Sequence, residues 1–140
     1  MKVFRTKSEK ETQEVAINFA GRLSGGEVIL LYGDLGSGKT VFVKALAKAL
    51  GIMEVVKSPT FNLMKIYKIP PAMHLCHIDA YRLKDFSELL DIGAGDFLGK
   101  ENTISVIEWA EKAVGLKAKK IIKINIGHGK NDNERIVKIK

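Results

Sequence analysis

Apolar positions along this chain change period several times, and each change marks an element. Ser8 and Glu11 have capping-box spacing, and Val15, Phe19 and Leu23 then recur at i, i+4, i+8 with Ala16 and Ala20 beside them, which predicts an amphipathic helix. Ser24-Gly25-Gly26 breaks that period. The segment Glu27-Val28-Ile29-Leu30-Leu31-Tyr32 is continuously apolar after its first residue, as in a parallel strand covered on both faces. A glycine-rich turn leads into a second helix expected over about 38–50, with Gly51 supplying the residue type favoured by a left-handed C-terminal cap. Short strands are expected near 60–68, 73–78 and 103–108. A short helix near 85–91 separates the last two, with Asp85 and Glu88 again at capping-box spacing. In the tail, Ile121, Ile122, Ile124 and Ile126, then Ile136, Val137 and Ile139, flank His128-Gly129-Lys130-Asn131-Asp132-Asn133, which predicts a β-hairpin.

Length and composition narrow this α/β reading without redirecting it. No repeat or Pro/Gly-rich linker divides the 140 residues, so one domain over 1–140 is expected. With 46% hydrophobic and 28% charged residues, disordered, collagen-like and disulfide-scaffold classes are disfavoured. No apolar run approaches the roughly 18 residues a membrane span needs. The N-terminus is basic but has no apolar segment behind it, and Cys76 is the single cysteine, so a cytoplasmic protein with no membrane association is expected.

Charge is distributed unevenly. Residues 116–140 hold eight Lys and Arg against two Asp and Glu, a balance of +6 out of +7 for the whole chain. Two readings stand for Lys117, Lys119, Lys120, Lys123, Lys130, Arg135, Lys138 and Lys140: a patch for phosphate, of nucleotide or nucleic acid, or a solvated hairpin that lysines keep from pairing at its edge.

The segment Gly33-Asp34-Leu35-Gly36-Ser37-Gly38-Lys39-Thr40 is a complete G-x-x-x-x-G-K-[ST] between a predicted strand and a predicted helix. Its glycines allow successive backbone N–H groups to face a phosphate, toward which the helix also directs its positive end. Lys39 would reach the β- and γ-phosphates and Thr40 would offer a hydroxyl to Mg²⁺. The expected architecture is therefore a three-layer P-loop NTPase-like fold, with a mixed, mostly parallel central sheet flanked by helices and a C-terminal β-hairpin. Asp79 and Glu108 each end a predicted apolar strand, at the edge where open α/β sheets bind ligands. Asp79 has the position of a Walker B acid. Glu108 is open to two roles, direct Mg²⁺ ligand or the group that orients water. Ser58-Pro59-Thr60 sits where a γ-phosphate-sensing loop would connect, and Thr60 adds a hydroxyl there; an ordinary proline turn fits those three residues equally well.

Taken together, the P-loop, Ser58-Pro59-Thr60-Phe61, His77-Ile78-Asp79-Ala80-Tyr81-Arg82-Leu83 and Glu108-Trp109 resemble, in order and spacing over about residues 8–112, the TsaE (YjeE) family of small bacterial P-loop ATPases. That resemblance implies ATP and Mg²⁺ as cofactors, and TsaB and TsaD as partners in forming threonylcarbamoyladenosine next to the anticodon of tRNAs. It implies an ATPase cycle that resets the TsaB–TsaD complex between turnovers, with tRNA met through the complex. By the same resemblance, Lys39 and Thr40 are the phosphate and Mg²⁺ contacts, Asp79 the Walker B-like acid, Glu108 the metal-associated catalytic glutamate and Thr60 the switch threonine. Trp109 is similar to a tryptophan beside the nucleotide, and Glu9 and Thr12 to a segment that approaches the adenine. His77 and Tyr81, taken singly, read as structural, and Arg82 as either a phosphate or partner contact or a surface residue. The tail departs from the family's glycine-arginine turn, and Lys130 or Arg135 is the available substitute.

A small-molecule or nucleotide kinase would share the P-loop, but needs an acceptor-binding insertion and an Arg-bearing lid. Only 17 residues lie between Thr40 and Ser58, and no Arg-rich segment is present. A GTPase is disfavoured by the lack of Asn-Lys-x-Asp, and Asp96-Phe97-Leu98-Gly99, although it matches D-x-x-G, follows no predicted strand. A non-enzymatic RNA-binding module built on the basic tail is the alternative from another class.

Overall fold

A computed structural model of the chain describes residues 1–59 and 63–140. Seven strands form one sheet: β1 (Lys2–Thr6), β2 (Glu27–Tyr32), β3 (Met64–Ile69), β4 (Met73–Asp79), β5 (Thr103–Glu108), β6 (Lys120–His128) and β7 (Arg135–Ile139). The helices are α1 (Glu9–Ala20), α2 (Lys39–Ala49) and α3 (Phe86–Asp91), with 3₁₀ turns at Ala94–Asp96 and Ala110–Ala113. Strand order is β1-β7-β6-β2-β5-β4-β3. The central run β6-β2-β5-β4 is parallel, whereas β3, β7 and β1 join antiparallel at the two sides.

Alternation along β2 explains the layers. Ile29 and Leu31 pack with Ala16, Phe19, Phe42, Val43 and Leu46 of α1 and α2, while Val28 and Leu30 pack with Leu83, Leu89 and Ala110 on the opposite side. Both faces of β2 and β5 are thereby covered, which is why their sequences read as unbroken apolar runs.

Local chemistry sets the helix ends. At α1, Ser8 Oγ accepts from Glu11 N at 3.2 Å and Glu11 Oε1 accepts from Lys7 N at 2.9 Å. At the end of α2, Gly51 is left-handed; its N–H donates to Lys48 O and that of Ile52 to Ala47 O, both at 3.1 Å, a Schellman closure that buries Ile52. At α3, Asp85 caps through a bond from Ser87 N, as its spacing with Glu88 anticipates.

Three details differ from the sequence reading. The first helix ends at Ala20, not near Leu23. The strand expected over 60–68 begins at Met64, and residues 60–62 lie outside the described residues. Strand β1 was not anticipated, because a five-residue segment with Lys2, Arg5 and Thr6 carries little apolar signal and its partner, β7, lies at the other end of the sequence. No helix among the described residues is long and apolar enough to cross a membrane.

Candidate active site

Parallel strands β2, β5 and β4 all end at the same edge, and each delivers one part of the site. The P-loop leaves β2. Register then pairs Asp79 with Glu108 across β4 and β5, so that two carboxylates from residues 29 positions apart stand side by side. A cavity of about 400 Å³ opens over this edge; Lys39, Thr40, Ser58, Asp79, Glu108 and Trp109 line it, together with Glu9, Leu35 and Arg135.

Two glycines are required by the loop geometry. Gly33 has φ +155°, and a Cβ there would stand 2.6 Å from both Ile126 O and Ser37 Oγ. Gly38, with φ +101°, starts α2 in the left-handed region and offers no side-chain cap, so the first N–H groups of the helix are left for another acceptor. Ser37 is buried, and its Oγ has no hydrogen-bond partner. Asp34 and Leu35 are exposed at the tip of the loop.

Lys39 is folded back onto the loop. Its Nζ donates to Gly33 O and, at 3.0 Å, to Asp34 O, and it stands 3.9 Å from the centroid of the Trp109 ring. Burial holds this ammonium below the usual lysine range, against the opposing pull of Glu108, Glu111, Asp34 and Asp79. Trp109 is itself in the left-handed region at φ 57°, ψ 49°, a conformation that costs a bulky residue about 1–3 kcal/mol. Tyr81 meets its ring at 4.9 Å between centroids.

Glu108 is buried and accepts at Oε2 from His77 Nε2–H at 2.5 Å. With the proton on Nε2, the Nδ1 of His77 is a buried nitrogen with no partner. The sequence reading gave His77 only a structural character; the structure makes it the direct partner of Glu108. The signal was present in H-x-D, since side chains two apart on a strand share a face. Asp79 is half-buried and accepts at Oδ1 from Tyr81 N at 3.0 Å. Thr40 Oγ1 and Ser58 Oγ are 3.1 Å apart, so the residue that begins Ser58-Pro59-Thr60 reaches the cavity. Thr60 lies outside the described residues.

The C-terminal hairpin contributes through one side chain. Arg135 Nε donates to Ser37 O at 2.8 Å and its Nη2 to Gly36 O at 3.2 Å, while Nη1 donates to Asp132 O and Glu134 O. This guanidinium is spent on backbone carbonyls and braces the loop from behind. Lys130, the other substitute named from sequence, is exposed in a separate groove with Arg5, Lys7 and His128. Glu9 lines the main cavity. Thr12 does not: it faces a neighbouring cleft of about 60 Å³, and its hydroxyl is bonded to Thr6 Oγ1 at 2.7 Å and Ser8 O at 3.3 Å. Arg82 is exposed. Asp96 sits in a 3₁₀ turn that follows α3 and not a strand.

No group of three or more His, Cys, Asp or Glu side chains among the described residues is placed to hold a metal by itself. The donors present are one hydroxyl and one or two carboxylates beside a phosphate cradle. That set fits Mg²⁺, which keeps several waters and is held largely through substrate phosphates.

A family model described as "Threonylcarbamoyl adenosine biosynthesis protein TsaE" matches residues 6–137. The chain belongs to the TsaE family. Among relatives named "tRNA threonylcarbamoyladenosine biosynthesis protein TsaE", that of Rickettsia typhi is 38% identical over 95% of this chain and 90% of its own length. The Aquifex aeolicus protein of that name is 45% identical over 75% and 74%. The crystal structure of YdiB from Bacillus subtilis superposes with a TM-score of 0.75 at 29% identity, covering 97% of this chain and 82% of that one. The family match thus reaches beyond the quoted motifs to the C-terminal hairpin that carries Arg135.

Proposed function

We propose that this chain is a Mg²⁺-dependent ATPase that serves formation of the threonylcarbamoyl group on adenosine next to the anticodon of tRNA, resetting a TsaB–TsaD complex between turnovers. The observation that carries the chemistry is the convergence of the P-loop, Lys39, Thr40, Asp79 and Glu108 on one cavity. The pathway rests on the printed names of the relatives.

Bound Mg²⁺ would neutralise charge on the phosphate oxygens, with the Thr40 hydroxyl and the Asp79 carboxylate as its protein-side partners. The chain's own groups do the rest. Lys39 exchanges its bonds to Gly33 O and Asp34 O for phosphate oxygens, and the free N–H groups at the start of α2 donate to the same anion. His77 fixes one oxygen of Glu108, which leaves the other to orient a water and take its proton as that water's oxygen bonds to the γ-phosphorus. The bond from the γ-phosphorus to the bridging oxygen breaks, and ADP and inorganic phosphate leave. Trp109 and Tyr81 offer an aromatic wall beside Lys39, and Glu9 stands at the mouth on the α1 side. Thr60 remains a proposed switch residue on the family resemblance. We expect slow turnover by the isolated chain, because the arginine nearest the cavity, Arg135, is committed to the P-loop backbone and not free to reach transferred phosphate.

The test is a reconstitution with TsaB, TsaD, tRNA and threonylcarbamoyl-adenylate, comparing wild type with Glu108→Ala. Multiple rounds of modification that need wild type, with ATP still bound by the variant, support the reading. Modification that cycles equally well without this chain refutes the proposed role, and fast hydrolysis by the isolated chain, unchanged by TsaB and TsaD, refutes its dependence on partners.

A further inference from the structure

Strands β1 and β7, and β6 beyond Ile121, leave one of their faces uncovered. On the α1 side, Phe4, Ile124, Ile126, Val137 and Ile139 are packed. The opposite face is fixed by register: Arg5 is paired with Ile136 and Ile136 with Gly127; Val3 with Lys138 and Lys138 with Asn125; and Lys140 exchanges backbone bonds with Lys123. Arg5, Lys123, Asn125, Lys138 and Lys140 are exposed, and Val3 is 47% exposed. The layer that covers the rest of this side of the sheet stops near Tyr32, beside Glu111.

The face is one-signed. Its strand positions carry Arg5, Lys123 and Lys138, with Lys140 just past the end of β7, and no Asp or Glu; Lys2, Lys120 and Arg135 lie on the α1 side. Among the described residues the one ion pair is His77–Glu108, so none of these cations has a carboxylate within salt-bridge distance. Lys123 directly faces Lys140 across the ladder, an arrangement that costs stability. Protection of a sheet edge does not account for the placement, because β7 lies between β1 and β6, and β6 between β7 and β2, where no edge exists to protect. Residues two apart on a strand are about 7 Å apart, so the charges lie within a Debye length and reinforce one another's field. Past Arg5 the face runs into the groove of about 400 Å³ lined by Lys7, His128 and Lys130.

We propose that this open face binds the phosphate backbone of RNA through Arg5, Lys123, Lys138 and Lys140. Lysines on a flat sheet, with no aromatic anchor among the exposed rows, match a polyanion read by charge and not by base or by apolar pocket. Binding is therefore sequence-tolerant and strongly salt-dependent.

The face is separate from the nucleotide cavity, and the proposal does not depend on the ATPase reading. The experiment is fluorescence anisotropy of a labelled tRNA transcript with the full chain, over about 50–200 mM salt. Wild type is expected to bind with a steep negative slope of log affinity against log salt. Lys123→Glu with Lys138→Glu should weaken binding at least about tenfold and lower the slope by about two, one per lost phosphate contact. Lys123→Gln with Lys138→Gln should fall between, and Lys39→Ala should bind as wild type does. Equal affinity of the charge-reversed variant and wild type, with folding confirmed by circular dichroism, would overturn the proposal. So would absence of tRNA binding by wild type at the lowest salt, or a poly-glutamate chain that displaces tRNA at equal charge concentration, which would assign the face to an acidic protein.

Discussion

Lys39 and Lys138 are the same side chain in opposite surroundings. Lys39 is buried, bonded to two carbonyls, seated over an indole and ringed by Glu108, Glu111, Asp34 and Asp79. Lys138 stands in water on an open sheet with cations beside it and no carboxylate within reach among the described residues. In the cavity, desolvation makes each contact strong and geometry decisive, so losing one group removes a function. On the face, each charge is screened and weak, and only the sum matters. A count of eight basic residues in the last 25 could not separate these regimes, and it also merged Arg135, which belongs to the loop, with the lysines that do not.

The largest expected break in that contrast comes from the cavity. Lys39→Ala should lower ATP affinity and turnover by at least about 10²–10³-fold, read by titration calorimetry and phosphate release, and Glu108→Gln should cut turnover by about 10²–10⁴-fold with binding retained. Next is the buried pair. His77→Ala should cost about 3–5 kcal/mol in urea unfolding, because it leaves the Glu108 carboxylate buried without its partner. Arg135→Ala should have a smaller effect, about tenfold in turnover, by loosening the carbonyls of Gly36 and Ser37; a result equal to Lys39→Ala would mean that Arg135 contacts phosphate itself.

The smallest expected effect is a displaced pH profile. Since burial lowers the Lys39 pKa, the charge that binds phosphate is lost as pH rises through a range below that of an ordinary lysine. ATP affinity should fall in that alkaline range, and Lys39→Arg, which cannot lose its proton there, should abolish the fall even if it weakens binding overall. An unchanged profile in the arginine variant would remove the assignment.

Much of the cavity was legible because its parts are local. Gly33 to Thr40 is contiguous, and a strand-loop-helix context follows from the apolar run before it and the helical period after it. Asp79 and Glu108 were legible as strand ends, and the parallel register that makes them neighbours was only an expectation of the fold class until β4 and β5 were paired. His77 and Arg135 were harder. Each acts on a partner far off in sequence, 31 residues for His77 and about 98 for Arg135, and no period or spacing encodes such a distance. Thr12, assigned by family resemblance, is bonded to Thr6 and Ser8 and faces a small cleft that shares Glu9, Gly38, Val41 and Arg135 with the main cavity, a placement no local pattern announces.

By itself the sequence determined all the helices and every strand but β1 to within a few residues, where the phosphate loop lies, and that the tail is basic, because backbone preferences, glycine conformations and side-chain period act over a few residues. Only the tertiary structure decided that β1 closes the sheet against β7, that His77 holds Glu108, that Arg135 braces the P-loop, and that Lys123, Lys138 and Lys140 share one uncovered face with Arg5. Those outcomes depend on strand order and register, which arise from burying both faces of β2 and β5 at once, a condition that no single segment carries.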